Sequence, residues 1–186
     1  MVIVRKEKFN SEKSIQYISD KAEKTENKSG MEDLKLGAAI DIGTTSIAVG
    51  LFDMENEVLL GNLTQTNCQT KFGSDVMMRI MHCTNGKEQL LHDMLIEQIE
   101  NIITVIIEQN ISEKYKSYVV ERMTVVGNTT MCHIFLNRDV TGLSGAPFSM
   151  AYKGIANVNS QEAGFKIYNI SEIIVLPNIH SHVGAD

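Results

Sequence analysis

Two short segments combine residue types that can do chemistry. In Ile40-Asp41-Ile42-Gly43-Thr44-Thr45 a carboxylate precedes a glycine and two hydroxyls, at the tip between two apolar runs. In Val125-Val126-Gly127-Asn128-Thr129-Thr130 a glycine, an amide and two hydroxyls follow another apolar run. Glycine lets a backbone approach a ligand closely. Successive N–H groups of Gly43, Thr44, Thr45 and Ser46, turned into one concavity, suit phosphate oxygens, and the Thr44 and Thr45 hydroxyls add donors. Charge-assisted hydrogen bonds of this kind are worth roughly 1.5–3 kcal/mol each. Asp41 closes an otherwise apolar strand and needs a partner there. A magnesium ion or its waters would serve, and so would the N–H groups of its own loop. The Asp-x-Gly-Thr-Thr tip alone is compatible with a phosphate cradle and with a plain polar turn.

The surrounding pattern sets where these tips sit. Leu36–Ile42 and Ser46–Asp53 are short apolar runs bounded by glycine and polar residues, as in buried strands. Glu57–Gln65 is a third strand, which makes a meander. Ser74 is a candidate cap for a helix in which Val76, Met77, Ile80 and Met81 recur at helical spacing. The spacing predicts that Met77, Met78 and Met81 pack in the core. A break at Thr84–Gly86 precedes a long helix, Lys87–Gln109. Its stripe of Leu90, Leu91, Met94, Leu95, Ile99, Ile102, Ile103 and Ile106 is that of a helix lying on a sheet. Strand Met123–Val126 follows this helical crossover and is expected to run parallel to an earlier strand. It delivers Gly127, Asn128 and Thr129 to the end of a strand and the start of a helix, where parallel sheets bind ligands. Asn128 or Thr129 could equally act only as the helix cap. Residues 138–170 read as irregular, and Glu172–His180 is a last strand ended by Pro177. The order β-β-β-α-β-α-β implies an α/β fold with a mixed sheet and helices on its faces. The Asp41 strand is expected at its centre, beside the strand ending at Val126.

Composition bounds the function. Residues 1–35 are polar and rich in Lys and Glu, and read as a linker with one marginal helix over Ser11–Lys24. Residues 36–186 form the folded domain. The net charge of -6 speaks against a general nucleic-acid surface. No apolar run is long enough to span a bilayer, and the N-terminus is not a secretory signal. Cys68, Cys83 and Cys132 are odd in number and widely spaced, which fits reduced thiols in the cytoplasm. No C-x-x-C pair occurs, so neither an iron–sulfur cluster nor a zinc site is expected in this chain. His180 and His182 could share a strand face and bind a metal. Only Asp186 lies near them, so they read as solvent-facing loop histidines. Met131 and Cys132 read as packing residues beneath the second loop.

A hairpin tipped by Asp-x-Gly-Thr-Thr at the start of such a domain resembles the first phosphate loop of the acetate and sugar kinase, heat-shock chaperone and actin superfamily, whose fold is ribonuclease H-like. "AIDIGTTSIAVGLFD", "KFGSDVMMRI", "VVGNTTMCHIFL", "GAPFSMAY" and "VLPNIHSHVGAD" occur in this order. Together they resemble the ATP-binding domain of the reductive activators of corrinoid proteins, a ferredoxin-like family. The resemblance covers about Leu36 to Asp186. It implies ATP and magnesium as cofactors and a corrinoid protein as partner, reduced from Co(II) to Co(I). It places Asp41 in a catalytic role, orienting metal-bound water. It assigns Gly43, Thr44, Thr45, Gly127, Asn128 and Thr129 to the nucleotide phosphates. The chain departs from the family in lacking the C-x4-C-x2-C cluster motif. It also stops at Val183-Gly184-Ala185-Asp186, where the family continues into a second ATPase half with the other phosphate loop. The expectation is therefore the first half of an actin-like ATPase domain, weak in nucleotide binding, inactive alone and prone to self-association. A small-molecule kinase of the same superfamily is a second reading, disfavoured because Asn128 stands where a kinase would place an aspartate base. A non-catalytic assembly domain is a third.

Overall fold

Strands that alternate buried and exposed side chains build the centre of the molecule. A computed structural model of the chain describes residues 34–111, 115 and 117–177. Strand β1 (Leu34–Ile42) buries Leu34, Leu36, Ala38, Ile40 and Ile42 on one face and sends Lys35, Ala39 and Asp41 to the other. Strand β2 (Ser46–Asp53) runs antiparallel to it and buries Ile47, Val49 and Leu51. Strand β3 (Val58–Thr66) is antiparallel to β2 and completes the expected meander.

The chain then crosses over. A 3-10 turn over Cys68–Phe72 leads to helix α1 (Val76–His82). Asn85 and Gly86 (φ 79°) kink the backbone at the expected break. Helix α2 (Glu88–Asn110) follows. The crossover returns strand β4 (Tyr118–Gly127) parallel to β1. Helix α3 (Thr129–Phe135) leaves β4, and β6 (Glu172–Val175) pairs parallel on the far side of β4. With a short strand β5 (Ala156–Val158) beside β6, the sheet order is β3-β2-β1-β4-β6-β5, so β1 is central and next to β4 as the pattern implied. In α2, Leu91, Leu95, Ile99, Ile102, Ile103 and Ile106 are at most 1% exposed, and they form the core with the buried face of the meander. Burying each such side chain fully is worth about 1.5–3 kcal/mol.

Six expectations need correction. Met77, Met78 and Met81 are exposed at 48%, 37% and 42%, while Arg79 and Ile80 face inward. A seven-residue helix leans only one narrow edge on the core, and its apolar residues fit more than one phase. Leu90, at 47% exposure, lies outside the buried stripe of α2. The cap of α1 is Asp75, whose carboxylate accepts from the Met78 N–H at 2.9 Å, and not Ser74. β1 and β4 begin earlier than read, at Leu34 and Tyr118, because pairing with each other extends both. The stretch 138–170 contains β5 (Ala156–Val158), which pairs antiparallel with β6 and forms the edge of the sheet. The last strand ends at Val175, short of Pro177. The marginal helix at Ser11–Lys24 and the residues His180, His182 and Asp186 lie outside the described residues.

Candidate functional site

Parallel pairing sets the two motifs side by side. Asp41 is opposite Val126 and Ile42 opposite Gly127, so both strands release their loops at the same end of the sheet. The loops touch. Asn128 Nδ2 donates to Thr44 Oγ1 at 3.0 Å, while Asn128 Oδ1 accepts from the Met131 N–H at 3.1 Å. Asn128 therefore caps α3 and bridges to the first loop at once. Gly127 permits this approach, because a Cβ there would sit 2.7 Å from the Ile42 carbonyl oxygen. Gly43 N–H donates to Ser46 O at 2.8 Å and closes the first loop. A Cβ on Gly43 would meet that same oxygen at 2.8 Å.

The first loop is gripped by its carbonyls. Gly43 O accepts from Asn67 Nδ2 at 2.9 Å, and Thr45 O accepts from the Asn67 N–H at 2.8 Å. Thr44 O accepts from Arg79 Nη2 at 3.3 Å. These peptides are trans. In a trans peptide the C=O and N–H point in opposite directions. The N–H groups of Thr44, Thr45 and Ser46 are therefore directed away from the 67–79 segment that holds the carbonyls. A concave run of outward N–H groups, flanked by threonine hydroxyls, is suited to an oxyanion.

The two gripping residues are fully buried. Asn67 Oδ1 also accepts from the Gln69 N–H at 2.9 Å, which starts the 3-10 turn. Arg79 Nη1 donates to Gly73 O. Burial pushes the Arg79 pKa down, opposed by the nearby Cys68, Asp75 and Cys83, yet an arginine stays protonated at any ordinary pH. Neither Asn67 nor Arg79 was singled out from sequence. A signal for Arg79 existed, since it adjoins Ile80 on the inward edge of α1. Asn67 acts across 24 residues of chain and left none.

Asp41 is exposed on the sheet face opposite α2. It lies at an open groove of about 310 Å³ lined by small side chains, among them Ala39, Ala48, Gly50 and Thr124. Among the described residues, no cluster of three or more His, Cys, Asp or Glu could hold a metal by itself. A cation beside Asp41 would therefore be held largely through water and ligand oxygens. Thr45 is exposed, and Gly43, Thr44 and Asn128 are half-buried. Gly127 and Thr129 are buried, as are Thr130, Met131 and Cys132 beneath the loop. The Thr129 carbonyl accepts from His133 Nδ1 at 2.7 Å. His133 Nε2 accepts from the Ala151 N–H at 3.1 Å, which fixes the ring proton on Nδ1. Burial pushes the His133 pKa down. No helix among the described residues is long and apolar enough to cross a membrane.

Comparisons with known proteins meet this geometry. The family model described as the RACo middle region matches residues 36–186. The corrinoid activation enzyme RamQ of Eubacterium limosum is 30% identical over 152 residues, covering 81% of this chain and 25% of its own length. The Co(II) methylated amine-specific corrinoid protein reductase of Methanosarcina barkeri is 28% identical over 159 residues, covering 81% and 28%. A solved reductive activator for a corrinoid, iron–sulfur protein superimposes with a TM-score of 0.73 at 31% identity, covering 84% of this chain and 25% of its own. The chain spans about a quarter of the length of these relatives.

Proposed function

Because the chain belongs to the RACo middle region family, we propose that it forms one wall of a magnesium–ATP phosphate site in an ATP-driven activator of a corrinoid protein. The observation that carries this reading is the Asn128–Thr44 contact at 3.0 Å, which joins the two loops into one surface. The outward N–H groups of Thr44 and Thr45 bind phosphate oxygens, with the Thr45 hydroxyl beside them. Gly43 and Gly127 allow the close backbone approach. Asn128 holds the Thr44 hydroxyl in place. Thr129, whose side chain is buried, contributes through its backbone. Asp41 orients the water shell of a magnesium ion. ATP, when bound, supplies the free energy for the uphill step from Co(II) to Co(I). The opposing phosphate loop and the adenosine pocket belong, in this reading, to a second ATPase half. The free thiols Cys68, Cys83 and Cys132 accord with a cytoplasmic site of action.

A small-molecule kinase of the same superfamily is the weaker alternative. Asn128 offers no carboxylate base, and both ends of its amide are already engaged. The test is to graft residues 36–186 into a related activator in place of its matching region. Loss of the Co(II) absorption of a corrinoid protein is then followed with and without ATP. The chimera is expected to reduce the corrinoid only with ATP. Asp41→Asn should lower that turnover by about 10² or more, the scale for removing one group aimed at developing charge, and leave folding little changed. Full ATP-dependent turnover in the Asp41→Asn chimera would contradict the role given to Asp41. ATP-independent reduction would contradict the proposal as a whole.

A further inference from the structure

We propose that Arg79 is a positioning residue of the phosphate site: a buried cation behind the first loop that strengthens the hold of the Thr45 N–H on an anion and is neutralised by that anion. This rests on the phosphate reading above. Buried charges in proteins are normally paired, because leaving one uncompensated in a low-dielectric interior is costly. Arg79 is 0% exposed. Its hydrogen bonds go to two neutral carbonyls, Gly73 O and Thr44 O. Its Nε has no partner. Among the described residues the one ion pair joins Arg122 to Glu172; Asp75 acts on Arg79 only through space, beyond ion-pair distance.

The neighbouring carbonyls show that hydrogen bonding alone does not call for a charge here. Asn67, a neutral residue, holds Gly43 O and Thr45 O on either side of Thr44 O. Of the three loop carbonyls, the cation contacts only the middle one, its other bond going to Gly73 O. That peptide carries Thr44 C=O on the Arg79 side and the Thr45 N–H on the opposite side. Donation to its oxygen polarises its N–H, because linked hydrogen bonds reinforce one another. The guanidinium charge also attracts an anion across the loop through a medium that screens poorly. An anion at the Thr45 N–H then adds to the distant Asp75 the close counter-charge that Arg79 lacks.

The experiment titrates the 186-residue chain with magnesium pyrophosphate and follows the backbone amides of Thr44 and Thr45 by NMR, which reads millimolar affinities. Wild type, Arg79→Gln and Arg79→Lys are compared, and the amides of α2 report whether each variant is folded. Gln keeps a donor and loses the charge, whereas Lys keeps the charge and loses the fork. Arg79→Gln is expected to weaken binding about tenfold, as for loss of a charge that assists hydrogen bonds to an anion. Arg79→Lys is expected to recover part of that loss and to retain the steeper salt dependence of the wild type. Equal affinity in wild type and folded Arg79→Gln would overturn the proposal. If Arg79→Gln does not fold, Arg79→Lys decides: loss of all binding in a folded Lys variant would overturn the charge-based role. Absence of any response in the wild-type Thr44 and Thr45 amides would overturn the phosphate reading itself, and this proposal with it.

Discussion

The two loops at the end of the sheet are built in opposite ways. The first, Gly43 to Ser46, is held from beneath by hydrogen bonds to its carbonyls and, apart from the Gly43 N–H that closes it on Ser46 O, leaves its N–H groups and the Thr45 side chain outward. The second, Gly127 to Thr130, is packed from within: Thr129, Thr130, Met131 and Cys132 are all at most 2% exposed. It projects one side chain, Asn128, toward the first. One loop presents donors and the other fixes their position. Two glycine–threonine loops, Gly43-Thr44-Thr45 and Gly127-Asn128-Thr129-Thr130, thus do different work, and the difference comes from what lies beneath each.

Breaking the support of the first loop should have the largest effect. Asn67→Ala leaves Gly43 O and the Gln69 N–H without their buried partners. A loss of about 2–6 kcal/mol follows from about 1–3 kcal/mol for each of the two groups, read from the urea midpoint. The Thr44 and Thr45 amide resonances should broaden or move with it. An unchanged midpoint would show that the grip on the loop is incidental. Gly127→Ala attacks the second loop where it touches the first, since the new Cβ would lie 2.7 Å from Ile42 O. Forcing apart β1 and β4 at this point should cost about 1–3 kcal/mol, as overpacking does elsewhere.

A smaller loss separates the two tasks of Asn128. Asn128→Ala removes the cap on Met131 N and the bridge to Thr44, about 1–2 kcal/mol as for other helix caps. Asn128→Asp keeps the capping oxygen and loses the donated bridge. It should restore most of the stability and none of the positioning of the Thr44 hydroxyl. If Asn128→Asp and Asn128→Ala are equally destabilised, the cap is not what Asn128 contributes.

The smallest expected effect is a pH dependence confined to the second loop. His133 has its folded pKa held below the ordinary 6.5 by burial, with Nδ1–H on Thr129 O and Nε2 taking the Ala151 N–H. The unfolded chain binds the proton more readily, so the stability from neutral His133 is complete above 6.5 and is lost as pH falls below it. Urea midpoints should decline from about pH 7.5 to about pH 5.5, more in wild type than in His133→Gln. Parallel pH profiles would remove His133 from the account.

Much of this arrangement was legible in the sequence, for identifiable reasons. Short apolar runs bounded by glycine and polar residues at Leu36–Ile42 and Ser46–Asp53 marked the hairpin, and the long apolar stripe of Lys87–Gln109 implied the crossover that makes β4 parallel to β1. From that adjacency the meeting of Thr44 and Asn128 followed. What stayed hidden acts over distance. The Arg79–Thr44 and Asn67–Gly43 contacts span 35 and 24 residues, and no local period announces them. The exposed face of α1 was misjudged because Met77 and Met81 repeat at the same spacing as Val76 and Ile80. Only tertiary packing chose the phase. β5 is three residues long, too short for a period to show.

The central claim is that the two loops make one phosphate-binding surface. It is tested most directly by titrating the chain with magnesium–ATP and following two NMR signals together: the Thr45 backbone amide and the Asn128 side-chain amide. One shared surface predicts that both shift along the same binding curve, and that Thr44→Val, which removes the hydroxyl accepting from Asn128 Nδ2 at 3.0 Å, uncouples them. Movement of one signal without the other in the wild type, or of neither at millimolar nucleotide, would contradict it.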